Sequence, residues 1–301
     1  MTTLDAYLLL MALIWGTNYA IVKSAFSEID PQAFNALRLL LASAVMTATS
    51  RLAKRLHLDD TFHTSHPVTR DDWIRFAALG LVGHCVYQYL FVGGLAKTSV
   101  ANGSLIISAT PVVITFVSWV TGKEPIGVLH WIGTLLSLFG IYVVVGRGAH
   151  VSAASMQGDV MLMGAVVCWA FYTLGARPLM ERHSPVGVTA VTMSIGTLLY
   201  VPAVAGHLSR VPWAAVSAAA WLKLLYSSIF ALCVAYTIWY AAVRKIGSAR
   251  TAVYSNLLPV IAMVTAYVWL REPIGLTKLS GAAAVLAGVA LTRRAQAVRQ
   301  S

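Results

Sequence analysis

Three observations predict an all-α polytopic membrane protein with ten transmembrane helices arranged as two inverted five-helix repeats. The first is composition: of 301 residues, 58% are hydrophobic and only 11% charged, and the mean hydropathy is +0.73. Soluble domains carry roughly 25% charged residues. The second is a series of ten apolar runs, each close to the ~20 residues a helix needs to cross the hydrocarbon core. The third is an internal duplication. Gly122-Lys123-Glu124-Pro125-Ile126-Gly127 returns as Leu270-Arg271-Glu272-Pro273-Ile274-Gly275. At the same offset of 148, Trp73 meets Trp221, Cys85 meets Cys233, Lys97 meets Lys245, Pro111 meets Pro259, Gly133 meets Gly281 and Gly140 meets Gly288.

In chain order the runs cover residues 6–26, 33–50, 73–96, 98–121, 128–146, 159–180, 186–206, 221–243, 248–270 and 277–293. The first has no basic leader and no cleavage site after it, so it reads as a retained span. Pro31, Pro125, Pro185 and Pro273 stand where spans 2, 5, 7 and 10 begin, and the first helical turn loses nothing from a missing N–H. The repeated Glu-Pro-Ile-Gly therefore reads as a helix stop at the membrane surface. Its alternative is a gating role, with Glu124 or Glu272 pairing to a neighbouring Lys or Arg. Pro111 and Pro259 lie mid-span at equivalent points and predict paired kinks, either hinges or static packing features. Gly133, Ser137 and Gly140 on span 5, with Gly281 and Gly288 on span 10, permit close helix approach. They place these two spans at the periphery or at a subunit contact, as a monomer or a homodimer through spans 5 and 10.

The first two spans of each half align at an offset of 154, pairing Asp5 with Asp159, Trp15 with Trp169 and Pro31 with Pro185. The duplicated unit is thus residues 1–150 and again 151–301, five helices each. Five is odd, so the second copy crosses in the opposite sense. Inverted repeats of this kind recur in secondary transporters, whose sites lie at the midplane between halves. Lys and Arg fall fourteen to seven in favour of the loops on the N-terminal side, which puts both termini in the cytoplasm. The net charge of +11 is accounted for by these loops, and nucleic acid is excluded as a partner because the basic residues form no single face or tail. Cys85, Cys168 and Cys233 each sit within an apolar run and read as small hydrophobes; neither a disulfide framework nor a metal site is expected.

An ionisable group inside lipid is costly and faces a cavity or a protein partner. Arg38 and His84 are such groups. Arg38 either snorkels or bonds helix carbonyls, or it is the counter-charge for a substrate carboxylate. His84 is followed by Tyr87 and Gln88 at i+3 and i+4, one face of a regular helix. Comparable sets are Trp15, Asn18 and Tyr19 in span 1; Trp169, Tyr172 and Thr173 in span 6; and Tyr236, Trp239 and Tyr240 in span 8. Span 9 adds Tyr254, Ser255 and Asn256, and span 4 adds Asn102, Ser104 and Ser108. One set alone is ordinary packing; four sets in both halves predict a shared cavity for a small apolar, zwitterionic or cationic solute. No His-Glu-x-x-His, Gly-x-Ser-x-Gly, intramembrane Asp pair or phosphate-binding Gly loop is present, so no enzyme and no cofactor is expected.

Trp15-Gly16-Thr17-Asn18 in span 1, its echo Cys168-Trp169-Ala170 in span 6, and the Glu-Pro-Ile-Gly after spans 4 and 9 resemble the EamA-type exporters of the drug/metabolite transporter superfamily. The YddG-like branch, bacterial inner-membrane exporters of aromatic and other neutral amino acids, is the part of it this chain is most similar to. The resemblance implies a basket of eight helices around a central cavity, spans 5 and 10 outside it, and alternating access. It implies amino-acid export, with export of lipophilic or quaternary-ammonium drugs as the alternative. No Asp or Glu lies deep in a span, in contrast to the membrane-embedded Glu of the related four-helix multidrug exporters.

Overall fold

The computed structural model describes residues 3–64, 66–121, 127–147 and 153–297, and within them the regular structure is helical. The first copy of the repeated motif, residues 122–126, lies outside the described residues. In chain order the helices are α1 (Thr3–Ala25), α2 (Pro31–Arg55), α3 (Arg70–Lys97), α4 (Val100–Ile107, continued by Thr110–Val120) and α5 (Val128–Arg147). They continue as α6 (Ala153–Met180), α7 (Pro185–Ala203), α8 (Ala218–Ile246), α9 (Arg250–Leu270) and α10 (Leu276–Ala297). Eight of these are long and apolar enough to cross a membrane; α5 and α10 contribute the shorter apolar segments Trp131–Gly140 and Leu279–Gly288 among the described residues. One short helix, Ala205–Leu208, and a 3₁₀ turn, Trp213–Ala215, fill the connection between α7 and α8.

Side chains placed at the helix starts satisfy the amides that a first turn leaves open. Asp30 accepts from Gln32 (2.9 Å) and Ala33 (3.2 Å) ahead of Pro31. Thr69 and Asp72 form a reciprocal capping box at α3. Ser99, Ser184 and Ser217 do the same single-handedly for α4, α7 and α8. Pro31 and Pro185 occupy the first turns of their helices. Pro111 and Pro259 do not kink a continuous helix, as the mid-span position suggested. Instead α4 breaks at Ser108 and Ala109, α9 passes through a 3₁₀ segment Val253–Leu257, and each proline then sits in the first turn of a fresh helix. The missing N–H thereby costs no hydrogen bond.

Two further irregularities fall at the repeat offset. Leu81–Val86 of α3 and Ser227–Val234 of α8 are π-helical, and Val86 and Val234 are 148 residues apart. A π segment shifts the bonding register, so carbonyls near it become available to other groups, a pattern frequent at functional sites. Large apolar side chains face outward, among them Leu13, Leu40, Ile74, Leu135, Val167, Leu198 and Val268, each more than 40% exposed, as a lipid-facing surface requires.

The main buried core draws on α1–α4 and α6–α9, with no buried member from α5 or α10 among the described residues. The two remaining helices pack against each other through their small residues. A Cβ on Gly140 would lie 2.6 Å from the Gly281 carbonyl oxygen, and one on Gly288 would lie 2.3 Å from that of Gly133. Ser137 adds a hydrogen bond to the Val285 carbonyl at 3.3 Å. The contacts are reciprocal, 140 on 281 and 133 on 288, with each residue and its repeat equivalent exchanging roles. At Gly288 a methyl would meet the Gly133 carbonyl oxygen and the Ser137 amide as well as the Ser137 hydroxyl, so turning that side chain aside would not make room. Gly288→Ala should lower the melting temperature in detergent, by a loss of about 1–3 kcal/mol. Gly206→Ala, with nothing within 4 Å, should melt as the parent does.

Candidate functional site

The site is built where α1, α2, α3, α6 and α8 converge, with α4 and α9 closing one side. Arg38 of α2 is 1% exposed, and its guanidinium reaches across to two other helices. One nitrogen, Nη2, donates to Gln88 Oε1 at 2.6 Å and Nη1 donates to Ser227 Oγ at 3.0 Å, while Nε has no protein partner. Gln88 in turn donates from Nε2 to the Tyr236 hydroxyl at 3.5 Å. Neither snorkelling nor a helix carbonyl satisfies this arginine, and no carboxylate pairs with it among the described residues. The cation is held by neutral groups alone.

Around it stands a cluster of rings. Trp15 donates from Nε1 to the Ala231 carbonyl in the π segment of α8, at 2.8 Å. Its ring lies 5.7 Å from Trp169, 5.4 Å from Trp239 and 5.8 Å from Tyr236. Trp169 reaches Tyr87 at 5.2 Å and Tyr236 at 5.3 Å. Tyr87 stacks on Phe91, which also meets Tyr19 edge-on. These separations and mostly edge-to-face or tilted geometries are the favourable ones for aromatic pairs.

The rings enclose a cavity of about 50 Å³. Trp15, Asn18, Tyr19 and Arg38 line it from the first two helices, and Tyr87, Gln88, Trp169 and Tyr236 from the next three. The other predicted residues stand behind this wall. His84 Nε2 is 3.0 Å from the Tyr172 hydroxyl, which is itself 2.8 Å from Thr192 Oγ1. Trp239 and Tyr240 are fully buried against Trp169 and Tyr172, at 5.8 and 5.3 Å. Asn256 is buried next to Ser255, which does reach the cavity. The expected single face of His84, Tyr87 and Gln88 is broken up because His84 lies in the π segment, whose wider turn rotates it away from the cavity. Sequence reading passed over Phe91, Thr110 and Leu258. Phe91 was within reach, one more i+4 step beyond Tyr87, whereas Thr110 and Leu258 are exposed to the cavity by the breaks before Pro111 and Pro259.

Polar contacts tie both ends of the bundle. At one end Lys23 donates to the Leu95 carbonyl at 2.9 Å and to the Thr98 carbonyl, and Glu272 accepts from the Val100 amide at 3.2 Å. The second Glu-Pro-Ile-Gly thus does more than stop α9, which it ends with Arg271 in the left-handed region at φ 57°. Its carboxylate also staples the start of α4, and its charge acts on the neighbouring Lys23 ammonium. Nearby, Ser217 donates its N–H (2.8 Å) and hydroxyl (3.0 Å) to Glu28, and those bonds hold the Glu28 carboxyl below its ordinary value. At the other end Asp72 is paired with Arg182 at 3.2 Å and His183 at 3.1 Å, and Arg244 donates to the Asp60 carbonyl at 2.6 Å.

The sequence pattern of the EamA-like transporter family matches residues 2–146 and again 156–294. The chain belongs to the EamA-like transporter family. Relatives of this transporter span nearly its whole length. "Uncharacterized transporter YyaM" of Bacillus subtilis is 24% identical, covering 96% of this chain and 93% of its own. An "Uncharacterized transporter" of Archaeoglobus fulgidus is 28% identical, with 96% of each chain covered. The "Probable terminal-alkyne amino-acid exporter" of Streptantibioticus cattleyicolor is 26% identical, covering 95% of this chain and 92% of its own. A solved crystal structure, 19% identical, superposes with a TM-score of 0.73 over 97% of this chain and 98% of that one, which establishes the same fold. The stability of the central polar network can be measured directly. Gln88→Leu removes the acceptor at 2.6 Å from Arg38 and leaves a buried guanidinium with one partner fewer. Detergent melting of that variant should show a loss of about 1.5–3 kcal/mol, the range for hydrogen bonds to charged groups. Ser227→Ala, at 3.0 Å, should lose less.

Proposed function

We propose that this transporter exports amino acids, aromatic and neutral ones foremost, and related small metabolites. Transport would proceed by alternating access through the central cavity. The observation that carries this reading is a buried arginine without a carboxylate partner among the described residues, on the wall of a cavity otherwise lined by rings, amides, hydroxyls and aliphatic side chains. A substrate carboxylate completes the ion pair that the protein leaves open, with Nε and one Nη as a bidentate fork. Trp15, Tyr19, Tyr87, Trp169 and Tyr236 take the side chain; Asn18 and Gln88 take the ammonium end. Tyr172, Trp239, Tyr240, His84 and Asn256 back these groups and fix their rotamers. The relative in Streptantibioticus cattleyicolor that is named an amino-acid exporter supports the same substrate class.

The architecture behind this proposal is two inverted repeats, residues 1–150 and 151–301, with ten crossings and both termini in the cytoplasm of a bacterial inner membrane. Its support is that repeat-equivalent residues touch one another. Trp15 meets Trp169 at the 154 offset, while Gln88 meets Tyr236 and Ser137 meets Val285 at the 148 offset. Equivalent positions coincide in space only along a two-fold axis, which repeats related by simple translation do not have. The breaks at Pro111 and Pro259 supply paired hinges. The small-residue faces of α5 and α10 are occupied by each other, so a homodimer through these helices would use their outer sides. Export of lipophilic cations, the alternative, requires a cation to rest beside Arg38 with no carboxylate to offset it.

Two experiments follow. In liposomes, the reconstituted protein should move labelled phenylalanine or threonine faster than empty vesicles, and Trp169→Ala should lower that flux at least tenfold if a ring contact of about 1.4 kcal/mol or more is lost; equal flux with and without protein for every amino acid would sink the substrate class. Arg38→Gln should abolish the preference for phenylalanine over phenethylamine. If both solutes lose flux equally, Arg38 serves the fold and not the substrate.

A further inference from the structure

A second cavity lies on the flank of the bundle, away from the solute site. It measures about 540 Å³ and is lined by α3, α4 and α6. Trp169 faces the central cavity, whereas Ala170, Phe171 and Leu174 line this one from another side of α6. Val167 and Phe171 are 59% and 51% exposed, so the groove opens to the surrounding lipid. Along α6 the lining runs from Val167 to Pro178. At 1.5 Å per residue that is about 16 Å, close to half of the ~30 Å hydrocarbon core and hence to the depth of one leaflet.

The walls are apolar except at one end, where Arg75 is the single charged lining residue. Arg75 is exposed and has no hydrogen-bond or ion-pair partner among the described residues. Its depth is marked by Trp73, two residues earlier and 53% exposed, a residue type that settles at the membrane interface. It is also on the side of the Asp72–Arg182 ion pair, where α3 begins and α6 ends. An apolar slot one leaflet deep with an unpaired cation at its interfacial mouth has the shape and charge of a phospholipid site. We propose that this groove holds an anionic phospholipid, one acyl chain lying along α6 and the phosphate on Arg75. The groove between α2 and α8, about 700 Å³, is the natural contrast: Leu37, Leu40, Leu41, Trp221, Leu222 and their neighbours line it, and no charged residue does. It has nothing with which to choose a headgroup.

The test is native mass spectrometry of the full chain in detergent, titrated with phosphatidylglycerol or with phosphatidylcholine carrying the same acyl chains. Phosphatidylglycerol should be retained about fivefold more strongly, the effect of one basic residue near the membrane surface. Arg75→Gln should erase that preference and Arg75→Lys should keep most of it. Ala78→Phe, placed on the exposed α3 wall of the groove, should reduce retention of both lipids, and Leu41→Phe in the other groove should leave the preference intact. An equal preference in the parent and in Arg75→Gln overturns the proposal. So does displacement of phosphatidylglycerol by an equal concentration of inorganic phosphate, because the site would then take a bare anion and not a lipid. If Ala78→Phe fails to fold, the comparison of Arg75→Gln with Arg75→Lys decides alone.

Discussion

A guanidinium buried to 1% exposure among neutral partners sets the terms for the centre of this protein. Withdrawing such a charge from water costs several kcal/mol even after relaxation. Arg38 recovers part of that from Gln88 and Ser227, which come from α3 and α8. Three helices are thereby drawn to one point, and two of them are π-helical close to it. The π segment of α8 also presents the Ala231 carbonyl to the Trp15 indole, so the polar network and the ring cluster are anchored to the same stretch of backbone. Full neutralisation by a protein carboxylate would be stronger and more permanent. Hydrogen bonds to an amide and a hydroxyl hold the charge in place while leaving it open to exchange.

The packing of the bundle keeps α5 and α10 away from this centre. Glycine contacts between α5 and α10 let the two helices approach to backbone distance outside the main core. The interior is left to the eight helices that carry the rings. Closer to the centre, Gly83 packs on Tyr172 and Gly196 on His84, at Cβ distances of 2.4 and 2.3 Å that no larger residue tolerates without movement. These glycines set how tightly the wall behind the cavity closes. Small residues here act by proximity and not by flexibility: their φ values are ordinary, and the left-handed region among the described glycines is used only at Gly247.

Much of this was legible in the sequence, and the reasons differ by residue. The spans were visible because apolar runs in lipid need no periodicity to be recognised, only length. Pro31 and Pro185 marked helix starts correctly because the first turn is the place a proline is tolerated without loss. The ring-bearing faces of α1, α3, α6 and α8 were found because rings and amides recurred at equivalent places in both halves. What failed was the assumption of a regular 3.6-residue turn through α3. The π segment there rotates His84 out of line with Tyr87 and Gln88, and nothing in Leu-Val-Gly-His-Cys-Val signals the extra residue in the turn. Pro111 and Pro259 misled for a related reason, since a proline mid-run predicts a kink only if the helix stays continuous. The staple from Glu272 to Val100 joins residues 172 apart and is a product of the fold alone.

The exchangeable arginine suggests how binding and movement are coupled in the proposed cycle. In this structure the cavity, at about 50 Å³, is smaller than a typical small-molecule site, and both ends are tied. In that cycle a solute carboxylate would compete with Gln88 for the guanidinium, because it offers a full charge and a bidentate fork where the amide offers one neutral oxygen. Gln88, once released, has its carbonyl free for the solute's ammonium group while its amide still faces Tyr236. That step loosens the contact between α3 and α2 while leaving α8 attached through Ser227. The end ties differ in kind. Asp72 with Arg182 and His183 is an ion-paired cluster, whereas Lys23 and Glu272 rest on backbone carbonyls and an amide of the α3–α4 connection. Movement of α3 released from Arg38 therefore strains the Lys23 and Glu272 contacts directly, because they grip its end and the start of α4. On this argument the solute opens the end where backbone groups are held by single side chains, and the ion-paired end serves as the pivot.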